Sequence, residues 1–217
     1  MPQFHLPMEF DYLAIFAWAL SGAILGLRRR LDLIGVLVIA TVSSVGGGLI
    51  RDGMMLQRTP PVLTDTWYLP LIALAAVLAI VFRDWIRTSV AVDRIVGAID
   101  ALGTPAFAVV GMDLAMRANI HIPGVMLIGC ISGMGGGLIR DIMLGEVPEV
   151  LKPGHYLVIP LIGVCAFYLV FTQYFGGDPT PLAWITIVMF FVFRVMTLRF
   201  DWQTSPLIRD DTDGKDG

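Results

Sequence analysis

Apolar residues along this chain come in long blocks separated by short polar knots. Seven blocks stand out, over about residues 10–27, 33–56, 67–83, 92–116, 122–144, 155–175 and 181–199. Each approaches the roughly 17–25 residues that carry a helix across the hydrocarbon core of a bilayer. The knots are turn and end signals: Arg28-Arg29-Arg30, Pro60-Pro61, Arg83-Asp84, Asn119 to Pro123, Pro148 to Gly154, and Gly176 to Pro181. The pattern predicts an all-α membrane protein with seven transmembrane helices.

Composition sharpens this. Of the 217 residues, 56% are hydrophobic and 15% charged, with a mean hydropathy of +0.77; soluble domains carry about 25% charge. No length is left for a sizeable extramembrane domain. The net charge of −3 adds little, because orientation follows the placement of Lys and Arg. With the N-terminus outside, the inside loops hold Arg28, Arg29, Arg30, Arg83, Arg87, Arg94 and Lys152, and the inside tail adds Arg199, Arg209 and Lys215. The outside loops hold only Arg58 and Arg117, while Arg51, Arg140 and Arg194 fall within spans. Ten against two predicts an outside N-terminus and a cytoplasmic C-terminus. The opening MPQFHLPMEFDY lacks the basic stretch of a cleaved signal peptide. Residues 203–217 are polar and glycine-rich, as in a disordered tail.

The chain also repeats itself. At an offset of 89 positions Ser43 meets Ser132, Gly46-Gly47-Gly48 meets Gly135-Gly136-Gly137, and Arg51-Asp52 meets Arg140-Asp141. Further out, Asp11 meets Asp100, Gly22 meets Gly111, Arg28 meets Arg117, Gly35 meets Gly124 and Met54 meets Met143. After a one-residue deletion, Pro60 meets Pro148 and Tyr68 meets Tyr156. Two three-helix repeats follow, over 8–88 and 92–176, with a seventh helix over 181–200. An odd number of spans per unit makes the second copy enter the membrane from the opposite side. Inverted repeats of this kind are a recurring design of transport proteins, with the path at the repeat interface.

Glycine costs about 1 kcal/mol relative to Ala inside a helix. The triplets Gly46–Gly48 and Gly135–Gly137 are therefore expected to break or kink the second and fifth spans. Broken backbone at membrane depth must be buried in protein or line a wet cavity, where it can help to solvate an ion or small polar solute. The other reading is close helix packing, which fits Gly129, Gly133 and Gly137, and Gly22 and Gly26, all spaced by four. Charges within spans pair, face a cavity or sit near an interface. Arg51-Asp52 and Arg140-Asp141 are thus pore-lining or gating charges, or structural salt bridges. Asp100, a further candidate pore-lining charge, needs an arginine partner, protonation or water. Asp11 is expected at a solvated span end, and Arg194 to snorkel. Ser43, Ser44 and Ser132 are candidate polar pore residues.

Other chemistry finds little support. GGGLIRD is neither a Walker loop nor a dinucleotide fingerprint, so no enzyme, cofactor or nucleic-acid partner is indicated. His5, His121 and His155 are scattered in tails or loops and form no metal set. Cys130 and Cys165 read as buried small apolar residues. Trp67, Trp85, Trp184 and Trp202 read as interfacial anchors.

The doubled GGGxxRD motif, within two three-span units and a seventh span, resembles the prokaryotic branch of the trimeric intracellular cation (TRIC) channels. That repeat unit is also described as a glycine-transporter domain. The resemblance covers about residues 8–200. It implies a homotrimer in the bacterial inner membrane, with one ion path per protomer between glycine-kinked second and fifth helices. The lysine-containing motif of the animal channels is not reproduced, so the resemblance does not by itself imply their lipid-dependent gating. The reading is a passive channel for monovalent cations, K⁺ foremost. A carrier for a small zwitterion such as glycine is the alternative, and a non-conducting scaffold is a third class.

Overall fold

The computed structural model describes residues 7–152 and 157–200. The expected disordered tail, 203–217, lies outside them, as do His5, His155, Tyr156 and Trp202. Among the described residues there are eight α-helices and no strand: α1 (Glu9–Arg28), α2 (Leu33–Leu49), α3 (Tyr68–Val81), α4 (Arg83–Thr88), α5 (Val92–Arg117), α6 (Ile122–Met143), α7 (Val158–Gln173) and α8 (Pro179–Phe200). A π-helical segment, Ile50–Met55, prolongs α2. The seven apolar blocks coincide with these helices to within a few residues. The addition is α4, a single amphipathic stretch where the sequence suggested only a turn.

Among the described residues, five helices are long and apolar enough to cross a membrane: α1, α2 with its π extension, α5, α6 and α8. The other two, α3 and α7, have 14 and 16 residues, about 21 and 24 Å at 1.5 Å per residue. Both occupy the third place in their repeat.

Local signals set the helix ends. Asp32 caps α2, its carboxylate accepting from the Gly35 N–H at 2.7 Å. Past the end of α1, Arg30 turns the chain in the left-handed region (φ 58°), and Asn119 does so at the matching place after α5 (φ 55°). Gln57 (φ 49°) and Gly145 (φ 72°) form a second matched pair. The first repeat is one residue longer than the second between Met54 and Pro60, and the π segment lies at this point. A π turn closes i to i+5 and so takes up an extra residue.

Helices α1 and α5 form the centre. Around α1 pack α2, α3 and α5; around α5 pack α6, α7, α8 and α1; α2 crosses α6. The two ends of the bundle are identified by their polar side-chain contacts. At one end Arg28, closing α1, meets Asp93 at the start of α5 (2.5 Å), and Arg29 pairs with Glu146 beyond α6. At the other, the Tyr12 hydroxyl donates to Asp65, just before α3, at 2.5 Å. The last turn of α1 therefore adjoins the first turn of α5. Outward faces are apolar, as at Leu69, Val81, Ile159 and Val192. Cys165 is buried and Cys130 half-buried; both thiols are free.

Candidate functional site

The glycine triplets do not break their helices. α6 runs unbroken from Ile122 to Met143 through Gly135–Gly137, and α2 stays α-helical through Gly46–Gly48 before widening into the π segment. In a dry interior every backbone group needs a partner, and the helix supplies it. What the glycines remove is side-chain bulk at the α2–α6 crossing. A Cβ on Gly136 would lie 2.2 Å from the Ser43 carbonyl oxygen, and one on Gly47 would lie 2.9 Å from the Ser132 carbonyl oxygen. Gly135 abuts the Gly47 Cα, Gly46 meets the Ile139 side chain, and Gly137 lies under the Trp18 ring. Gly48 differs: a Cβ there would meet only the Arg51 guanidinium, 3.7 Å away.

Just past each triplet an arginine turns inward. Arg51 is 1% exposed and lies within the π segment. Its Nε and Nη2 donate to the two carboxylate oxygens of Asp52 at 3.0 and 2.7 Å. Its Nη1 faces Asp11 Oδ1 at 3.7 Å, and its guanidinium lies over the Phe107 ring, 5.9 Å from the centroid. The Tyr68 hydroxyl donates to Asp11, and Arg58 approaches Asp52 at 3.6 Å from the exposed side. Asp11 is buried and not at a solvated span end, because its carboxylate is held by Arg51 and Tyr68.

The second copy repeats this, with the aromatic partners exchanged between the repeats. Arg140 donates through Nε to Asp141 (2.9 Å) and through Nη1 to both oxygens of Asp100 (3.1 and 3.0 Å). Its guanidinium lies over the Trp18 ring at 5.3 Å. Trp18 and Phe107 are themselves 89 positions apart. Each arginine thus takes its distant carboxylate from the first helix of its own repeat and its aromatic from the first helix of the other. Several features are not duplicated, the approach of Arg58 to Asp52 among them. Ser21 accepts from Arg140 Nη1 at 2.5 Å, and its counterpart is Val110. Glu149 donates its backbone N–H to Asp141 at 3.0 Å.

A small cavity adjoins each cluster. The first, lined by Trp18, Asp100, Thr104, Arg140, Asp141 and Arg194 among others, has about 20 Å³ of room for water centres. The second, lined by Asp11, Arg51, Asp52, Pro60, Tyr68 and Phe107 among others, has about 10 Å³. Each suffices for about one water. Gly48 borders the second cavity and Gly137 the first.

The candidate serines point elsewhere. The hydroxyls of Ser43 and Ser44 donate to their own helix at Ile39 and Ala40, 2.6 and 2.9 Å away. Ser43 packs where Gly22 leaves space on α1, and Ser132 where Gly111 leaves space on α5. Neither is among the residues lining the two cavities, nor is Ser44. Arg194 does not snorkel. It is 2% exposed, lines the first cavity and pairs with Glu149. The sequence carried no signal for this, because Glu149 sits in the loop after α6 and its reach to α8 depends on tertiary packing.

Comparison with known proteins gives a consistent result. A family profile described as glycine transporter matches the chain twice, over residues 8–84 and 97–172. A UPF0126 membrane protein of Deinococcus radiodurans is 41% identical over 141 residues, which is 65% of this chain and 64% of that relative. The chain thus spans just under two thirds of that relative's length. Among solved structures, a TRIC cation channel superposes with a TM-score of 0.79 at 27% identity, covering 93% of this chain and 97% of its own. A prokaryotic TRIC channel in 0.5 M KCl gives 0.79 at 28% identity, covering 88% and 95%.

Proposed function

The chain belongs to the family described as glycine transporters and, with it, to the prokaryotic TRIC channels, and from that footing we propose that it is a cation channel of the bacterial inner membrane. Its favoured ion is K⁺. It works as a homotrimer, with one path in each protomer between α2 and α6, the second and fifth spans. Seven helices cross the membrane as two inverted repeats plus α8, with the N-terminus outside. The adjacency of the last turn of α1 to the first turn of α5 supports opposed repeats.

One observation carries the reading: two arginine–carboxylate clusters related by the repeat, each beside a small cavity, flank a crossing made of bare backbone. An unpaired arginine in a path would repel cations. Here each guanidinium faces two aspartates, Arg51 with Asp11 and Asp52, Arg140 with Asp100 and Asp141. The Arg140 set carries a formal −1 and keeps it when Arg194 and Glu149 beside it are counted. The Arg51 set carries −1 among its buried members, with Arg58 at its exposed edge. Both cavities are thus lined by an excess of buried carboxylate that favours a cation. Closed, the crossing leaves room for single waters only. Opening separates Gly47 from Gly136 and joins the cavities, with freed main-chain carbonyls taking over part of the ion's hydration.

The family description favours a second reading, a carrier for glycine, in which an arginine holds the carboxylate and an aspartate the ammonium. Purified protein in defined lipid separates the two. Unitary currents down a K⁺ gradient support the channel. Saturable glycine uptake with no unitary current replaces it with the carrier.

A further inference from the structure

Away from both clusters, one end of the bundle carries a basic hollow that the conduction reading leaves unused. It opens between the α1–α2 turn and the end of α3, and holds about 280 Å³. Arg30, Arg83 and Arg87, with the single carboxylate of Asp32, supply its polar wall, and Leu31, Leu33 and Ile80 its apolar one. A neighbouring hollow of about 500 Å³ shares Arg30 and Arg87.

The charges here are poorly compensated. Arg28 is taken by Asp93 at 2.5 Å. The Asp32 carboxylate is occupied in capping α2. Asp84 faces only Arg83, its chain neighbour, at 3.7 Å. Arg30 and Arg87 have no ion-pair partner among the described residues. Arg30 is fixed at the mouth by the left-handed turn that ends α1. The surroundings suit a bilayer boundary: Leu33, Val81 and Phe82 are 61%, 68% and 58% exposed, and Trp85 stands beside them on α4.

We infer that this hollow binds the headgroup of an anionic phospholipid. Guanidinium groups match a phosphodiester bidentately, and basic pockets between spanning helices hold anionic headgroups. The apolar wall is what separates a lipid from a free anion. Leu31, Leu33 and Ile80 offer a surface for the glycerol and first acyl methylenes, which inorganic phosphate lacks. The site makes α4 and the α1–α2 turn a lipid-anchored unit and does not depend on whether the protein conducts.

Native mass spectrometry of the full-length protein in detergent tests this, with titrations of phosphatidylglycerol, phosphatidylcholine and inorganic phosphate. Wild-type protein is expected to take phosphatidylglycerol at least about tenfold more tightly than phosphatidylcholine, with no displacement by millimolar phosphate. An Arg30→Gln, Arg83→Gln, Arg87→Gln triple variant is expected to lose that preference. Equal binding of the two lipids by the wild type overturns the proposal without any variant. So does efficient displacement by phosphate, which marks a small-anion site, or an unchanged preference in a folded triple variant.

Discussion

The Gly136 Cα faces the Ser43 carbonyl so closely that a Cβ there would stand 2.2 Å from its oxygen, a distance no folded protein tolerates. Gly47 and Ser132 make the corresponding contact. The α2–α6 crossing is therefore main chain against main chain. Gly136→Ala should force the helices apart and cost about 1–3 kcal/mol as overpacking. Gly48→Ala should be neutral or stabilising, since its Cβ meets only the Arg51 guanidinium, at an ordinary contact distance of 3.7 Å, and Ala gains about 1 kcal/mol in a helix. Thermal melts of the two variants in the same detergent check this; equal loss in both would show that the triplets act through backbone flexibility.

The buried pair of Arg140 with Asp100 should be strongly coupled. Removing one partner of such a pair leaves an uncompensated charge and costs about 3–5 kcal/mol. Asp100→Asn and Arg140→Gln should each destabilise by that order. The double variant should cost clearly less than their sum, with a coupling of about 1–3 kcal/mol. A denaturation cycle over the four proteins measures it. Additive losses would mean that the 3.0 Å contact contributes no interaction energy.

Arg194 breaks the equivalence of the two halves, because α8 has no counterpart in the other repeat. Its side chain adds a positive charge to the cavity at Asp100 and none to the cavity at Asp11. Arg194→Gln should leave Glu149 uncompensated and make that cavity more negative. The expected outcome is K⁺ current that rises severalfold in one direction more than in the other. Current–voltage curves with symmetric KCl read this directly, and a symmetric change would place Arg194 outside the path.

Much of this architecture is written in the chain. The apolar blocks locate α1, α2, α3, α5, α6, α7 and α8, since a buried or lipid-facing helix needs little beyond length and apolarity to be recognised. The offset of 89 pairs Asp11 with Asp100, Trp18 with Phe107 and Arg30 with Asn119, and each pair shares a structural role. The triplets mislead because helix propensity is measured in water. Three glycines cost roughly 3 kcal/mol there, whereas inside the bundle an unmade backbone hydrogen bond costs more and close packing offsets the rest. Position along a span also misled at Asp11 and Arg194. Their burial depends on Arg51, Tyr68 and Glu149, partners brought near by helix packing. The π segment has a faint signal, the single extra residue between Met54 and Pro60.

The most direct test of a cation path past the two clusters is the reversal potential of single channels under an asymmetric KCl gradient, for wild type and Asp141→Asn. The account predicts wild-type reversal close to the K⁺ equilibrium potential and a shift toward zero in the variant, whose cluster loses its net negative charge. Reversal at the chloride potential, or an identical reversal in a folded Asp141→Asn protein, would contradict it.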